Sequence, residues 1–247
     1  ATDEKSLQLA MEKAKARVDE AFHAALALDG PSYNAAESTS DLFAAVPALP
    51  ENTTGGSREM RLIDAIHDGL KESLALWPEL VYMGQDIGPY GGVFKATEGL
   101  ADLFGSNRVR NTPLCESAIV GASLGWSIAG GKAMMEMQFS DFVTTGFNQI
   151  VNNLAKLHWR WGQAVDVVVR MPTGAGVAAG PFHSQSTEAW FTHVPGLKVV
   201  YPAFPGEAKG LLMASFNEPN PVLFFEHKAM YRTVREEVKE GPQFIEL

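Results

Sequence analysis

Glu116 is the residue whose surroundings point most directly to chemistry. It follows the extended segment 110–115 and precedes a run of small residues at 121–125. In α/β proteins, ligands bind just outside the carboxyl ends of the strands, where a strand gives way to a helix. A carboxylate at that junction can act on a ligand, or it can simply stabilise the helix N-terminus through the helix dipole. Position alone leaves both readings open.

The composition narrows the classes of function. The chain has 247 residues and a net charge of −9, with 46% hydrophobic and 20% charged residues. It is long enough to bury a core, and its acidic balance offers no basic footprint for a nucleic acid or an anionic membrane. No apolar run approaches the ~20 residues that span a bilayer. The single cysteine, Cys115, excludes a cysteine-rich metal site, and we predict no metal ligand in this chain.

An alternation of helix and strand begins at Arg58. Strands are predicted at 81–84, 108–111, 132–138, 165–170, 198–201 and 222–226, most of them apolar, and helices at 63–77, 100–104, 119–129, 141–158 and 205–217. Strands that are apolar throughout, each followed by a helix, indicate a mainly parallel sheet covered on both faces. The predicted fold class is therefore α/β, as a three-layer sandwich.

The first 57 residues have a different pattern. Apolar residues at three- and four-residue steps predict one amphipathic helix over 4–28, whose apolar face must pack on something else. Pro, Gly and Thr are concentrated further on, which is typical of a linker. We predict a helical segment at 1–46, a linker at 47–57, a domain at 58–235 and, at 236–247, the start of a connection to a further C-terminal domain.

Seven segments between residues 59 and 235 resemble, in order and at similar spacing, the beta subunit of the decarboxylating component of 2-oxoacid dehydrogenase complexes. They are residues 110–125, 136–142, 147–152, 183–186, 195–200, 208–212 and 220–226. Each segment alone is a weak indication, whereas the ordered set is a strong one. The resemblance implies the pyrimidine module of the thiamine diphosphate-binding fold, which agrees with the predicted α/β sandwich.

The resemblance also implies roles for five residues. Glu116 matches the glutamate that meets a ring nitrogen of the cofactor's aminopyrimidine and so promotes ionisation of its thiazolium carbon. Phe142 matches an aromatic residue on the aminopyrimidine face, and Leu114 and Gln138 match positions that line the same pocket. His183 matches a proton-transfer residue that acts while the acyl group passes to a lipoyl arm, since imidazole exchanges protons near neutral pH.

Simpler readings of these residues stay open at this point. Phe142 suits an ordinary core position at the start of a helix, which is the commoner fate of a phenylalanine. Gln138 at a strand end suits a cap for the following helix. A lone histidine in a glycine-rich loop, such as His183, is usually a surface residue.

The cofactor implies further components. The family holds the diphosphate through Mg²⁺, using a Gly-Asp-Gly segment and a downstream asparagine on a second domain. This chain has no Gly-Asp-Gly, and Asp29-Gly30 ends a helix rather than a strand. We therefore expect Mg²⁺ ligands outside this chain, on an alpha-like diphosphate-binding domain. A monovalent-cation site, such as one for K⁺, also occurs in the family, and no residue is assigned to it here.

The predicted partners are that alpha-like domain, a lipoyl-bearing acyltransferase and further copies of the chain, with no nucleic acid and no membrane. Residues 1–46 resemble the C-terminal tail of the alpha subunit, which suggests a fused alpha–beta protein of the bacterial cytoplasm, or of the mitochondrial matrix if eukaryotic. Segments 138–142 and 224–228 favour a branched-chain 2-oxo acid over pyruvate. The alternatives are a transketolase or deoxyxylulose-phosphate synthase, and a non-catalytic assembly module.

Overall fold

The computed structural model describes residues 3–247. The chain forms two compact units, and the boundary between them in the sequence follows Thr39. The first unit contains helix α1 (Glu4–Leu26) and the start of α2 (Ala35–Ser40). The Asp3 carboxylate caps α1 by accepting a hydrogen bond from the Ser6 N–H at 2.7 Å. The predicted helix over 4–28 is confirmed with a slightly earlier end. Its apolar residues are exposed, including Leu7, Met11, Val18 and Phe22.

The second unit, Ser40–Leu247, is built on a six-stranded sheet in which all neighbouring strands are parallel. The strands are β2 (Leu80–Gly84), β3 (Val109–Asn111), β4 (Lys132–Glu136), β5 (Val167–Thr173), β6 (Lys198–Val200) and β7 (Val222–His227). Their order across the sheet is β3-β2-β4-β5-β7-β6. The predicted α/β class is confirmed.

The core lies on both faces of this sheet because successive strand residues point to opposite sides. Tyr82, Met134, Val168 and Phe224 pack on one face against helices α3 (Leu62–Leu76) and α8 (Pro205–Asn217). Met83, Met135, Val169 and Phe225 pack on the other face against α5 (Glu116–Ile128) and the helical stretch that follows β4. The inner strands β2, β4, β5 and β7 are therefore buried on both faces, as a sheet between two helical layers requires, whereas only Val109 of β3 is buried.

A small antiparallel sheet pairs β1 (Ser57–Arg61) with β8 (Arg235–Lys239). Neither strand was predicted, and β8 overlaps the stretch interpreted as a connection to a further domain. Residues of the predicted linker also bind this region, since Thr53 Oγ1 donates to the Glu240 carbonyl at 2.7 Å. The assignment of residues 1–46 to an alpha-subunit tail stays a prediction.

The predicted helix over 141–158 is a continuous helical stretch with changing geometry. A 3₁₀ turn (Ser140–Phe142) leads into α6 (Val143–Asn148), a π-helical segment (Gln149–Leu154) and α7 (Ala155–Trp161). The remaining helix, α4 (Leu100–Phe104), lies between β2 and β3. Periodicity predicted the stretch correctly, but it does not resolve one helical geometry from another.

Candidate active site

A crevice is expected between the carboxyl ends of β2 and β4. The connection after β2 leads outward to the edge strand β3, whereas the connection after β4 leads the other way to β5. Such a reversal leaves a gap above the sheet where α/β proteins bind ligands. The segments that follow these two strands are linked by a hydrogen bond from Gln138 Nε2 to Asp86 Oδ2 at 2.8 Å.

Asp86 has a strained backbone at this crevice. Its φ of +59° lies in the left-handed region, which is uncommon for a residue with a side chain. The Asp86 carbonyl accepts a hydrogen bond from the Gly92 N–H at 2.8 Å, which closes the glycine-rich turn after β2. The turn therefore aims the Asp86 carboxylate at Gln138 and fixes the direction of its amide group.

Glu116 is the first residue of α5 and is only 7% exposed. Thr145 Oγ1, on α6, lies 3.2 Å from Glu116 Oε2 and 2.8 Å from the Phe142 carbonyl oxygen. The single hydroxyl proton can be donated to one of these acceptors at a time. Thr145 therefore ties the carboxylate to the turn that carries Phe142, and nothing in the sequence had pointed to it.

An aromatic cluster brings His183 and Phe142 together. The His183 ring packs edge-on against Phe142, with ring centroids 5.4 Å apart, and against Phe139 at 4.8 Å. The rings of Phe139 and Phe142 also contact each other edge-on at 5.7 Å. His183 Nδ1 is buried without a hydrogen-bond partner among the described residues. The ring is thus placed by its aromatic neighbours, and no hydrogen bond to Nδ1 from residues 3–247 fixes its orientation.

The loop that carries His183 is fastened to the turn after β4. Asp141 Oδ1 accepts hydrogen bonds from the Ser184 N–H at 3.1 Å and the Gln185 N–H at 3.0 Å. The Gln185 carbonyl in turn accepts a hydrogen bond from the Gly174 N–H at 2.9 Å, at the end of β5. Asp141 stands beside Phe142 in a predicted motif, yet its contact with the loop is long-range and was not predicted.

A buried charge network underlies the site. Arg170 on β5 donates to Glu226 on β7 through Nε at 2.5 Å and Nη2 at 2.7 Å, and through Nη1 to Glu136 on β4. The Tyr231 hydroxyl donates to Glu226 Oε2 at 2.6 Å. Burial raises the pKa of Glu136, and the charge of Arg170 opposes that rise. One guanidinium therefore serves two carboxylates, and no other cation within residues 3–247 forms an ion pair with either of them.

The other predicted site residues are less closely connected. Gln138 is half-buried at the crevice and contacts Asp86, whereas Leu114 is 78% exposed between β3 and α5. None of the catalytic or binding roles is tested by the geometry, so they stay predictions for Leu114, Gln138, Phe142, Glu116 and His183.

Across residues 3–247, no group of three or more His, Cys, Asp or Glu side chains is arranged to hold a metal ion. No helix in that range is both long and apolar enough to cross a membrane.

The parallel sheet, the reversal of its connections between β2 and β4 and the buried carboxylate at a helix start are typical of a ligand-binding α/β module. The family model described as "Transketolase, pyrimidine binding domain" matches residues 58–234. This chain belongs to that family, and the predicted resemblance is confirmed.

Similar proteins include beta subunits of two 2-oxoacid dehydrogenases. The mitochondrial 2-oxoisovalerate dehydrogenase subunit beta 2 of Arabidopsis thaliana is 46% identical over 200 residues, covering 80% of this chain and 56% of the relative. The corresponding subunit of Bacillus subtilis is 46% identical over 181 residues, covering 72% and 55%. The pyruvate dehydrogenase E1 component subunit beta of Staphylococcus epidermidis is 40% identical over 191 residues, covering 76% and 59%.

This chain therefore spans about half the length of the curated relatives it matches. A solved structure described as "Split gene transketolase, inactive beta4 tetramer" superposes with a TM-score of 0.55 at 19% identity. The match covers 76% of this chain and 53% of that structure. At that identity, the likeness supports the fold alone.

Proposed function

We propose that this chain supplies the pyrimidine half of a thiamine diphosphate site in a 2-oxoacid dehydrogenase. The enzyme would decarboxylate a 2-oxo acid oxidatively and pass the acyl group to a lipoyl domain. The observation that carries the proposal is the buried Glu116 carboxylate, joined through Thr145 to the turn whose Phe142 contacts His183. The beta-subunit relatives support the same reading.

The residues at the crevice fit an aminopyrimidine. A buried carboxyl can share a proton with a ring nitrogen, and such a hydrogen bond is stronger away from water. Phe142 offers an aromatic ring, which suits stacking on a flat heterocycle. The Gln138 amide, held by Asp86, offers further hydrogen-bonding capacity. Leu114 is exposed and would line the pocket only once a partner covers it.

When bound, the cofactor supplies the electron sink that lets a 2-oxo acid lose carbon dioxide. Glu116 would hold a proton at the aminopyrimidine nitrogen and so keep the ring in its reactive tautomer. Phe142 would fix the plane of that ring and exclude water from it. His183 would hold or release a proton at its ring nitrogens as the acyl group leaves for the lipoyl arm.

The proposal requires components outside this chain. An alpha-like domain would hold the diphosphate through Mg²⁺, and a lipoyl-bearing acyltransferase would accept the acyl group. Further copies of the chain would complete the assembly, and a monovalent cation such as K⁺ would bind backbone carbonyls. The place of action would be the bacterial cytoplasm or, in a eukaryote, the mitochondrial matrix. The names of the relatives include both bacterial and mitochondrial proteins.

We propose a branched-chain 2-oxo acid as the substrate, in preference to pyruvate. The 2-oxoisovalerate dehydrogenase relatives are 46% identical to this chain, against 40% for the pyruvate dehydrogenase relative. Each methylene group in a hydrophobic pocket changes specificity by roughly 10- to 200-fold. In the full-length protein assembled with its diphosphate-binding partner, kcat/KM for 2-oxoisovalerate should therefore exceed that for pyruvate by about tenfold or more.

Calorimetry with thiamine diphosphate and Mg²⁺ tests the division of the site. We expect binding to the assembled protein and none to the 247-residue chain alone. Tight binding to the chain alone would show that the diphosphate half has been misplaced. Failure of both to bind would favour the non-catalytic assembly module, and turnover of sugar phosphates instead of 2-oxo acids would favour a transketolase or deoxyxylulose-phosphate synthase.

A further inference from the structure

The loop that carries His183 is held to the turn after β4 by hydrogen bonds to a single carboxylate. Asp141 is buried, and its Oδ1 accepts both the Ser184 and the Gln185 N–H. These are the first two backbone donors after His183. Asp141 follows Ser140, whose hydroxyl donates to Thr173 Oγ1 at 2.9 Å. The 3₁₀ turn thereby anchors the loop at its backbone, while Phe139 and Phe142 pack against the histidine ring.

A buried lysine stands opposite this carboxylate. Lys228, just after β7, is 5% exposed, and its Nζ has no hydrogen-bond partner within residues 3–247. The Nζ atom lies 5.1 Å from the centroid of the Phe139 ring, the same ring that His183 contacts. Burial lowers the pKa of Lys228, and the charge of Asp141 opposes that fall. The buried ammonium thus faces an aromatic ring, with the Asp141 carboxylate as an opposite charge in its surroundings.

Asp141 itself has one oxygen without a partner. In the described part of the chain, Asp141 Oδ2 is buried and accepts no hydrogen bond. An uncompensated buried carboxylate is costly, and a nearby opposite charge reduces that cost. Lys228 is the cation that acts electrostatically with Asp141. Asp141 lies in the 3₁₀ turn after β4 and Lys228 just after β7, so the two charges offset each other from distant parts of the chain.

We infer that Asp141, with Lys228 as its counter-charge, is the positioning residue that holds the His183 loop against Phe142. The inference rests on the proposed function only for what His183 does there, because the geometry of the loop stands by itself. Asp141 acts by fixing the backbone after His183, and it need not touch a substrate. The positive charge of Lys228 offsets part of the cost of burying the Asp141 carboxylate, whose Oδ1 accepts both loop N–H groups.

Hydrogen exchange of the peptide covering residues 180–186 tests the anchor without any turnover. In the assembled full-length protein, Asp141→Ala removes the acceptor, so exchange should accelerate by about tenfold, as loss of a charge-assisted hydrogen bond allows. Asp141→Asn retains a side-chain acceptor and should give a smaller increase. Asp102→Ala, at an exposed carboxylate on α4, is the matched control and should leave this peptide unchanged.

The counter-charge is tested by a double-mutant cycle. Lys228→Met retains an unbranched side chain of similar length but removes the ammonium group. Asp141 is then a lone buried charge, so exchange of residues 180–186 should accelerate. Adding Asp141→Asn to Lys228→Met removes that lone charge and should partly restore protection. Equal exchange in wild type and Asp141→Ala would overturn the anchor, and additive effects in the cycle would overturn the charge pairing.

A kinetic measurement separates this inference from the proposed function. If His183 serves acyl transfer, Asp141→Ala should lower kcat for lipoyl acylation more than kcat for decarboxylation with an artificial electron acceptor. Carbethoxylation of His183 should quicken in the variant while that of exposed His193 does not. A wild-type assembly that decarboxylates no 2-oxo acid would defeat the proposed function, whereas unchanged exchange and carbethoxylation would defeat the positioning role.

Discussion

At the scale of single residues, the burial of Glu116 bears most directly on its role. The carboxylate starts α5, yet it is turned inward and lies within hydrogen-bonding distance of Thr145. A residue that served only the helix dipole would gain the same benefit while exposed to water. Burial carries a desolvation cost that the dipole alone does not require, so a ligand-directed role accounts better for this position.

Glu116→Gln tests that role. The substitution retains the shape of the side chain but removes its capacity to hold a proton as a carboxyl group. We expect decarboxylation by the assembled protein to fall by about 10²- to 10⁴-fold, the usual contribution of a proton-transfer group. Thermal unfolding should change little. Glu98→Gln, at an exposed glutamate, should keep normal turnover, and near-normal turnover in Glu116→Gln would exclude the proposed role.

At the scale of elements, Arg170 joins the three central strands through their side chains. It lies on β5 and pairs with Glu136 on β4 and Glu226 on β7, close to the strand ends that position the site. All three residues are buried. Removal of one member of a buried ion pair is far more costly than loss of a surface pair, because the remaining charge has no compensation.

Arg170→Met should therefore lower the free energy of unfolding by about 3–5 kcal/mol at neutral pH. Without Arg170, the pKa of Glu136 rises further above its ordinary value of 4.5, so the folded variant binds more protons than the unfolded chain. The contribution of Glu136 to the stability of the variant should consequently be greatest at low pH and be lost as pH rises through the folded pKa, so the deficit relative to wild type should grow with pH. Urea denaturation at several pH values measures both effects.

Arg235→Met is the matched control for this experiment. Arg235 on β8 pairs with Glu59 at 3.0 Å, and both side chains are more than half exposed. Exposed pairs contribute less than about 1 kcal/mol. A small loss of stability in Arg170→Met, comparable with that of the control, would show that the buried network adds little to the fold.

At the scale of the whole molecule, the sheet and both halves of its core belong to the unit Ser40–Leu247. Helix α1 has no buried residue. Residues 40–56 belong with the sheet, as Asn220 shows by donating to the Ala44 carbonyl at 3.0 Å and accepting from its N–H at 2.7 Å. The contacts that stabilise the fold are therefore expected to lie after Thr39.

Deletion of residues 1–39 should leave the remaining chain folded with little change in its unfolding midpoint. Deletion of residues 1–56 should lower the midpoint, because it removes the hydrogen bonds of Ala44 and Thr53 to later parts of the unit. Calorimetric scans of the two truncated chains make the comparison. A large loss of stability on the shorter deletion would show that the unit depends on the helical segment.

The local sequence pattern predicted the bounds of helices well where a glycine or proline lies at their ends. The bounds of α4 and α8 are as predicted, since Gly99 precedes the first and Pro205 opens the second. Pattern failed for β8, whose sequence is charged apart from Val238 and gives no apolar run. A short polar strand becomes recognisable only through its partner, β1.

The sequence by itself determined the α/β class, the order of the helices and strands, the family, and Glu116 as the leading candidate. These features follow from local periodicity and from motifs in order along the chain. The tertiary structure decided the strand order, the burial of Arg170 between two carboxylates, and the anchoring of the His183 loop by Asp141. Such contacts join residues far apart in sequence, and they exist only because particular strands become neighbours in the folded sheet.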